Sequence, residues 1–184
     1  MLIGLKDGRI AEIGKAKKEV RIRVSITGKS TRRYSFDSFL IHSWSGSKNT
    51  GSIDLRRPVV IYGYPSGRHV GEVGYFVTKR FRGTGLSYIL LHEMSKFALS
   101  RGIKLLLMST ASDNEAAINL FKNCGGRISA DFKSVMNKGK SVIWMSAVTI
   151  DVIKKSRSMW EKKGVKIAKR YYSMDLISPV KKKE

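Results

Sequence analysis

A single cysteine, Cys124, stands in 184 residues, so no disulfide can form within the chain. That excludes a small disulfide-stapled secreted domain and points to an intracellular setting. The thiol precedes Gly125 and Gly126 at an expected helix end, a place for packing rather than reactivity. Histidine is scarce too: His42, His69 and His92 are scattered without ligand spacing, so no metal site is expected. No apolar run approaches the roughly 18–20 residues of a membrane span. The first residues lack the apolar core of a secretory signal, and Asp7, Glu12 and Glu19 argue against a basic organelle presequence. Acidic residues are the most telling shortage. Fourteen Asp and Glu face 36 Lys and Arg, a formal charge of +22, well beyond what solubility requires. The expected partner is polyanionic, nucleic acid (DNA or RNA) before any membrane, with a solvated basic surface as the bland alternative.

The excess sits at the ends. Residues 1–33 hold ten basic residues against three acidic, residues 151–184 eleven against four, and the 117 residues between them supply the remaining +8. With 42% apolar residues, one packed domain is expected over residues 1–150, its first 33 residues a basic N-terminal part, followed by a basic C-terminal extension over 151–184. Phosphate contacts are assigned to Arg32 and Arg33 in the first part and to Lys154, Lys155, Arg157, Lys162, Lys163, Lys169 and Arg170 in the second. Tyr171 and Tyr172 suit either base stacking or packing on a sheet.

In chain order, Arg21 to Thr27 alternates as a half-exposed strand, and Gly28 to Arg33 reads as a basic turn. Tyr34 to Trp44 fits either a helix on a sheet or a substrate-lining loop, and Ser45 to Gly51 reads as a flexible loop. Pro58 to Tyr64 and Arg68 to Thr78 read as the arms of an antiparallel hairpin. Ile103 to Met108 is a strand buried on both faces, with Ser109 to Ser112 as its exit loop. Asp113 is a candidate N-cap of a helix from Asn114 to about Cys124, and Asn114 is a second, able either to cap that helix or to reach a ligand. Arg127 to Phe132 and Ser141 to Thr149 form a closing hairpin, and Asp151 to Lys163 a basic helix that packs Ile153, Met159 and Trp160 inward and ends at Gly164. The sum is an α/β sheet with helices on both faces.

The chain is organised around V-G-E-V-G-Y-F-V-T-K-R-F-R-G-T-G-L-S, Val70 to Ser87. A strand to Thr78 gives way to a basic turn with Gly83 and Gly85. From Leu86 a helical period begins through Ile89, Leu90, Met94, Phe97 and Ala98, until Gly102 ends it. A strand, a glycine turn and a helix leave free N–H groups at a positive helix end, which suits phosphate. Neither G-x-x-x-x-G-K-[ST] nor G-x-G-x-x-G is present.

This loop resembles the acyl-CoA pyrophosphate loop of the GNAT N-acetyltransferase superfamily, Arg/Gln-x-x-Gly-x-Gly/Ala. Aligned on R-G-T-G, Arg82 and Gly85 match and Ser87 replaces the last small residue. Further on, S-D-N-E-A-A-I-N-L-F-K-N-C-G-G resembles the family's Asn-x-x-Ala-x-x-Leu-Tyr-x-x-x-Gly-Phe through Asn114, Ala117, Leu120, Phe121 and Gly125. The resemblance spans about residues 55–149. It implies a mixed, mostly antiparallel sheet and acetyl-CoA or another acyl-CoA as cofactor. It implies cofactor contacts from Phe76, Val77, Arg82, Gly83, Thr84, Gly85, Leu86, Ser87, Asn114 and Phe121. E-V-G-Y-F-V resembles the strand bearing the family's catalytic glutamate, which makes Glu72 the expected base, with an ion pair to Arg68 as the structural alternative. Phe121 stands where many members have a proton-donating Tyr, so Tyr75 and Ser109, together with Ser87 or water, become the candidate acids.

The expected function is acyl-CoA-dependent N-acyl transfer to nucleic acid or to something bound to it. The competing class is a non-catalytic nucleic-acid-binding or ribosome-associated protein on the same fold. A slighter similarity, H-S-W-S-G-S at His42 to Ser47, resembles a segment of phage Mom-type adenine-modifying members of the superfamily, which would make DNA the acceptor. Either setting is cytoplasmic, nucleoid-associated or ribonucleoprotein-associated.

Overall fold

The computed structural model describes residues 1–27, 30–57, 59–61, 64–134 and 139–169. Twelve strands and three helices follow one another among them. The strands of the first half are β1 (Leu2–Gly4), β2 (Ile10–Ile13), β3 (Lys17–Thr27), β4 (Ser30–Ser45), β5 (Lys48–Arg57), β6 (Val60–Ile61) and β7 (Tyr64–Pro65). The second half runs β8 (Val70–Val77), α1 (Leu86–Ser100), β9 (Leu105–Ala111), α2 (Glu115–Asn123), β10 (Arg127–Phe132), β11 (Val142–Val148), α3 (Thr149–Lys162) and β12 (Lys166–Lys169). One large sheet takes the order β10-β11-β9-β8-β5-β4-β2-β1-β12, with β3 paired to β4. Every adjacent pair in it is antiparallel except β8 and β9, which α1 connects.

Several expectations give way to this topology. Tyr34 to Trp44 is neither helix nor loop: it lies within the 16-residue β4, which pairs with β3 and β2 along one edge and β5 along the other. Phe39, Ile41 and Ser43 are buried and alternate with half-buried Leu40, His42 and Trp44, as in a strand with one face in the core. Arg32 and Arg33 therefore lie in a strand and not in a turn, at rungs opposite Ser25 and Val24. The expected loop at Ser45 to Gly51 tightens to a turn at Gly46 and Ser47, and β5 has begun by Lys48. Gly46, at φ 57, supplies the left-handed residue that this short connection needs.

Nor does β8 form a hairpin with the Pro58 to Tyr64 segment. Its antiparallel neighbour is β5, from Gly51↔Val77 to Arg56↔Glu72. The intervening chain folds on itself as the β6–β7 ladder, while Pro58, Tyr62 and Gly63 of that expected strand lie outside the described residues. The buried strand extends to Ala111 and absorbs most of its expected exit loop. Asn114, not Asp113, caps α2, its side chain accepting from the Ala117 N–H at 3.3 Å. Asp113 instead pairs with Lys140, which holds its carboxyl below the usual range.

The helices share one face of the sheet, where the sequence suggested two covered faces. α3 packs along α1 and touches α2. Tyr88 on α1 accepts a hydrogen bond from Asn123 on α2 at 3.1 Å. All three helices feed one core, in which Leu86, Ile89, Leu90, Met94, Leu120, Phe121, Val152 and Trp160 meet Ile53, Leu55, Val73, Leu106, Met108 and Met145 of the sheet. The inward residues of α3 are Val152, Ser156 and Trp160; Ile153 and Met159 are only half-buried. Across the sheet lies a small second cluster, Val59, Val70 and Leu107 with Leu105 and Trp144 beside it. Ser52, Asp54, Arg56, Glu72, Gly74 and Ser109 belong to that second face by strand parity, and such residues give a covering helix little to bury.

The described ends of the chain are not loose extensions. β12 pairs with β1, and β1 with β2, at the edge of the sheet, and residues 170–184 lie outside the described residues. Among the described residues no helix is long and apolar enough to cross a membrane.

Candidate active site

β8 and β9 are paired only at Val70↔Leu105, Gly71↔Leu106 and Glu72↔Leu107. Beyond Glu72 the two parallel strands part, and the split opens into a cavity of about 610 Å³. One wall is Val73 to Val77 of β8, the other Met108 to Thr110 of β9, and Asn114, Ala117 and Leu120 of α2 form the floor. The glycine turn and α1 close its end with Arg82, Gly83, Gly85, Ser87 and Tyr88.

The turn is shaped by its two glycines, at φ 76 for Gly83 and 92 for Gly85, the latter being the N-cap of α1. Only glycine holds that backbone without strain. Inside the helix the first bonded amides are those of Tyr88 and Ile89, both donating to the Gly85 carbonyl. Among the described residues no protein acceptor meets the N–H groups of Gly83 to Ser87, which are therefore free for an anion at the positive end of a 15-residue helix. The turn is braced from outside. Arg9 lies 4.0 Å over the Phe81 ring and donates to the Arg80 carbonyl at 2.8 Å, and Thr84 donates to the Phe81 carbonyl at 2.7 Å.

Of the residues expected to hold the cofactor, Phe76, Val77, Arg82, Gly83, Gly85, Ser87 and Asn114 line this cavity. Thr84 is buried beneath the turn, and Leu86 is in the core. Phe121 is the correction: at 0% exposure it is packed among core residues, its ring so close to Gly126 that a Cβ there would lie 2.2 Å from it. It contributes to the floor's support and not to its surface. The glycine at 126, standing where an aromatic was expected, makes room for that ring.

Tyr75 and Ser109 both reach the cavity. Burial, then the neighbouring Cys124 and Tyr88, raises the Tyr75 phenol far above its ordinary value, so it stays protonated at neutral pH. Burial likewise pushes the Cys124 thiol up to about 12, in keeping with a packed and unreactive side chain. Glu72 lies at the apex where the strands part, its side chain 13% exposed. Ser109 donates to its Oε1 at 2.8 Å, and Arg56, paired with Asp54 at 2.9 Å, has Nη2 3.6 Å away. Arg56, not Arg68, is therefore its cationic neighbour. Local sequence carries no signal for this pairing, which depends on the β5 register. Gly74 leaves space for the network, since a Cβ there would lie 2.7 Å from Asp54 Oδ1.

The sequence reading also missed Tyr88, Thr110 and Asn119, which line the cavity. Their signal was helical and strand spacing from residues already chosen. His42 and Trp44, of the Mom-like segment, have rings 5.7 Å apart on β4 and are not among the cavity-lining residues. Among the described residues no group of three His, Cys, Asp or Glu side chains is placed to hold a metal.

Residues 37–125, which contain this parted-strand cleft and its turn, match the model of the acetyltransferase (GNAT) family. The match covers just under half of the chain, and this stretch is similar to a GNAT domain. Solved structures agree on the fold. A GNAT-family acetyltransferase from Streptococcus pneumoniae is 22% identical, with a TM-score of 0.52 over 60% of this chain and 66% of that one. A Salmonella typhimurium protein solved with its cofactor acetyl-CoA is 20% identical, TM-score 0.54, over 61% and 65%. A ribosomal-protein-alanine N-acetyltransferase from Brucella melitensis is 20% identical, TM-score 0.53, over 60% and 68%. The chain thus spans just under two thirds of the length of the first two. No curated protein sequence matches significantly. The family match stops short of β10, β11, α3 and β12.

Of the basic residues assigned to phosphate contacts, Lys154, Lys155, Arg157 and Lys162 are exposed on α3. Lys163 departs from them and lines the cavity. Lys169 ends β12, and Arg170, Tyr171 and Tyr172 lie outside the described residues.

Proposed function

We propose that this chain is an acetyl-CoA-dependent N-acetyltransferase whose acceptor is nucleic acid or a molecule held on nucleic acid. The observation that carries the transfer reaction is the parting of β8 and β9 just beyond Glu72, with a turn of unbonded amides at the far end of the opening. The residues present fit the coenzyme. Backbone N–H groups of Gly83 to Ser87 would hold its diphosphate, with Arg82 beside them, and the β8 edge at Phe76 and Val77, which β9 does not pair and where the Val77 carbonyl accepts from Arg82 Nε at 3.2 Å, would meet its amide-bearing arm. When bound, the coenzyme supplies a thioester carbonyl as electrophile.

Strand parity divides the remaining work. Val73, Tyr75 and Val77 face the helices, whereas Glu72, Gly74 and Phe76 face the open side, so a cleft between β8 and β9 is reachable from both. An acceptor amine approaching from the open face meets Glu72. Only a deprotonated amine has the lone pair needed for attack, and the carboxylate, directly or through water, takes that proton. With acetyl-CoA bound, a protein O–H would be needed beside its sulfur to neutralise the charge that transfer leaves there. Tyr75 is on the cavity and keeps its proton, so its O–H can offer the departing sulfur a hydrogen bond that Phe121 cannot. Ser109 donates to Glu72 Oε1 and fixes that carboxylate oxygen, although Glu72 itself is not among the cavity-lining residues.

The acceptor class rests on charge. A body at +22 repels free cationic amines and concentrates polyanions at its surface. The backbone supports the same reading. Among the described residues β4 from Ser30 to Phe36 pairs only with β3, forming a two-stranded ribbon whose sequence holds Arg21, Arg23, Arg32 and Arg33, and a ribbon of that width fits a nucleic-acid groove. The non-catalytic reading is favoured by one observation, the removal of the Phe121 position from the cavity.

Titration calorimetry with acetyl-CoA, followed by incubation with labelled acetyl-CoA plus duplex DNA, transfer RNA or ribosomal protein, tests the proposal. Binding and label in a nucleic-acid or nucleoprotein pool is the expected result. Binding without label anywhere would leave a scaffold, and no binding would remove the enzyme reading altogether. Label in DNA alone would favour the Mom-like alternative.

A further inference from the structure

The 610 Å³ cavity has two charged residues on its wall, Arg82 and Lys163, and no carboxylate. Two cations facing one concave surface without a counter-ion repel each other, a cost that an arriving anion removes. Arg82 belongs to the GNAT loop. Lys163 does not: it follows the last residue of α3, well beyond the family-matched residues 37–125.

Its placement is fixed by packing. A Cβ on Gly85 would lie 2.5 Å from Val165 Cγ2 and 3.2 Å from Lys163 Cβ, so the turn ending α3 is seated directly on the N-cap of α1. α3 is held there by Trp160 in the core and by His92, whose Nδ1 is 3.0 Å from the Ile153 carbonyl and 3.2 Å from Ser156 Oγ. Gly164, at φ 71, turns the chain into β12, which locks onto β1. The lysine stem is half-buried against the turn, and no carboxylate pairs with it among the described residues. Its neighbour Lys162 is exposed and does not line the cavity.

From this arrangement we infer that α3 completes the anion site from outside the GNAT-like stretch, and that Lys163 is a phosphate ligand of the coenzyme. The inference rests on the acetyl-CoA reading above. It reassigns Lys163 from the nucleic-acid surface, where its sequence neighbours remain, to the cofactor. It also gives the C-terminal helix a function in binding: displacing α3 would remove one of the cavity's two cations.

The test is calorimetry of acetyl-CoA, coenzyme A and 3′-dephospho-coenzyme A with the full chain and with Lys163→Gln, Lys163→Arg and Lys162→Gln, at low and physiological salt. The expected result is about a tenfold weaker Kd for Lys163→Gln, the size of one charge-assisted contact. A flatter dependence on ionic strength, recovery in Lys163→Arg and an unchanged Lys162→Gln should accompany it. A deficit that persists with the dephospho-coenzyme assigns the diphosphate, and one that disappears assigns the 3′-phosphate; both support the inference. Lys163→Gln binding within twofold of the parent, or Lys162→Gln losing as much, overturns it while leaving the enzyme reading intact. Failure of the parent chain to bind any of the three coenzymes overturns both.

Discussion

The two faces of the central sheet differ in almost every physical respect. The face beneath the helices is dry and continuous: Ile53, Leu55, Leu106 and Met145 are fully buried under three helices that also bury one another. The opposite face carries Asp54, Arg56, Glu72 and Ser109 joined across three strands, with Phe76 left 54% exposed. The same strands make both, because alternate residues point opposite ways. The lesson is a division of labour within single strands: outside the cleft, where Tyr75 of the helix-facing set reaches the cavity, one parity set stabilises and the other is free to be polar. Substitutions on the two faces should then fail in different ways.

The largest separation is expected from Glu72→Gln on the open face. If the carboxylate takes the amine proton, the amide should lower kcat/KM by roughly 10²–10⁴. Acetyl-CoA affinity and Tm should remain near those of the parent, since the glutamine keeps a carbonyl oxygen for the Ser109 hydroxyl. Steady-state rates combined with calorimetry read both quantities. An unchanged rate would remove Glu72 from the chemistry and leave its network a purely structural crosslink between β8 and β9.

On the closed face the same logic runs in reverse. Phe121→Ala empties a site with no solvent exposure and should cost about 3–5 kcal/mol of stability, read from denaturant midpoints. Activity per folded molecule should fall far less, because the ring supports the cavity floor without touching its contents. Phe121→Tyr sharpens the contrast. Its hydroxyl would enter an apolar site against Gly126 and should destabilise without any gain in rate. A faster Phe121→Tyr enzyme would show that this position reaches the departing sulfur, and the assignment of the hydrogen bond there to Tyr75 would fall.

How much of this was readable beforehand follows the same line between local and distant contacts. The turn from Arg82 to Ser87, the helix after it and the closing hairpin were legible, because glycine spacing and apolar period are local signals. β4 was not. Y-S-F-D-S-F-L-I-H-S-W has no single period strong enough to choose between helix and loop, and it became a strand only because β2, β3 and β5 were available to pair with it. The β5 register also decided that Glu72 neighbours Arg56. The single helix-bearing face was hidden for a related reason: the sequence shows that helices are amphipathic but not which face of a sheet they cover. Lys163 was readable only as one more lysine, since its approach to Gly85 depends on how α3 lies across α1.

The smallest effect concerns the joint between those two helices. Burial lowers the His92 pKa below its ordinary 6.5, outweighing the opposing pull of Glu93 and the Ile153 carbonyl; Lys96 and Arg157 act in the same direction as burial. The native state therefore holds this ring neutral over a range in which the unfolded chain has begun to protonate it. Stability from this group is complete above about pH 6.5 and is lost as the pH falls from there through the lower folded value. The Tm should decline between neutral pH and about pH 5, and His92→Gln, less stable at neutral pH for want of the ring's contacts, should decline less steeply. Because α3 carries Lys163 to the anion site, acetyl-CoA should also shift the Tm by less at the acid end than at neutral pH. Parallel melting curves for parent and variant across that range would show that His92 is not the titrating element in the α1–α3 joint.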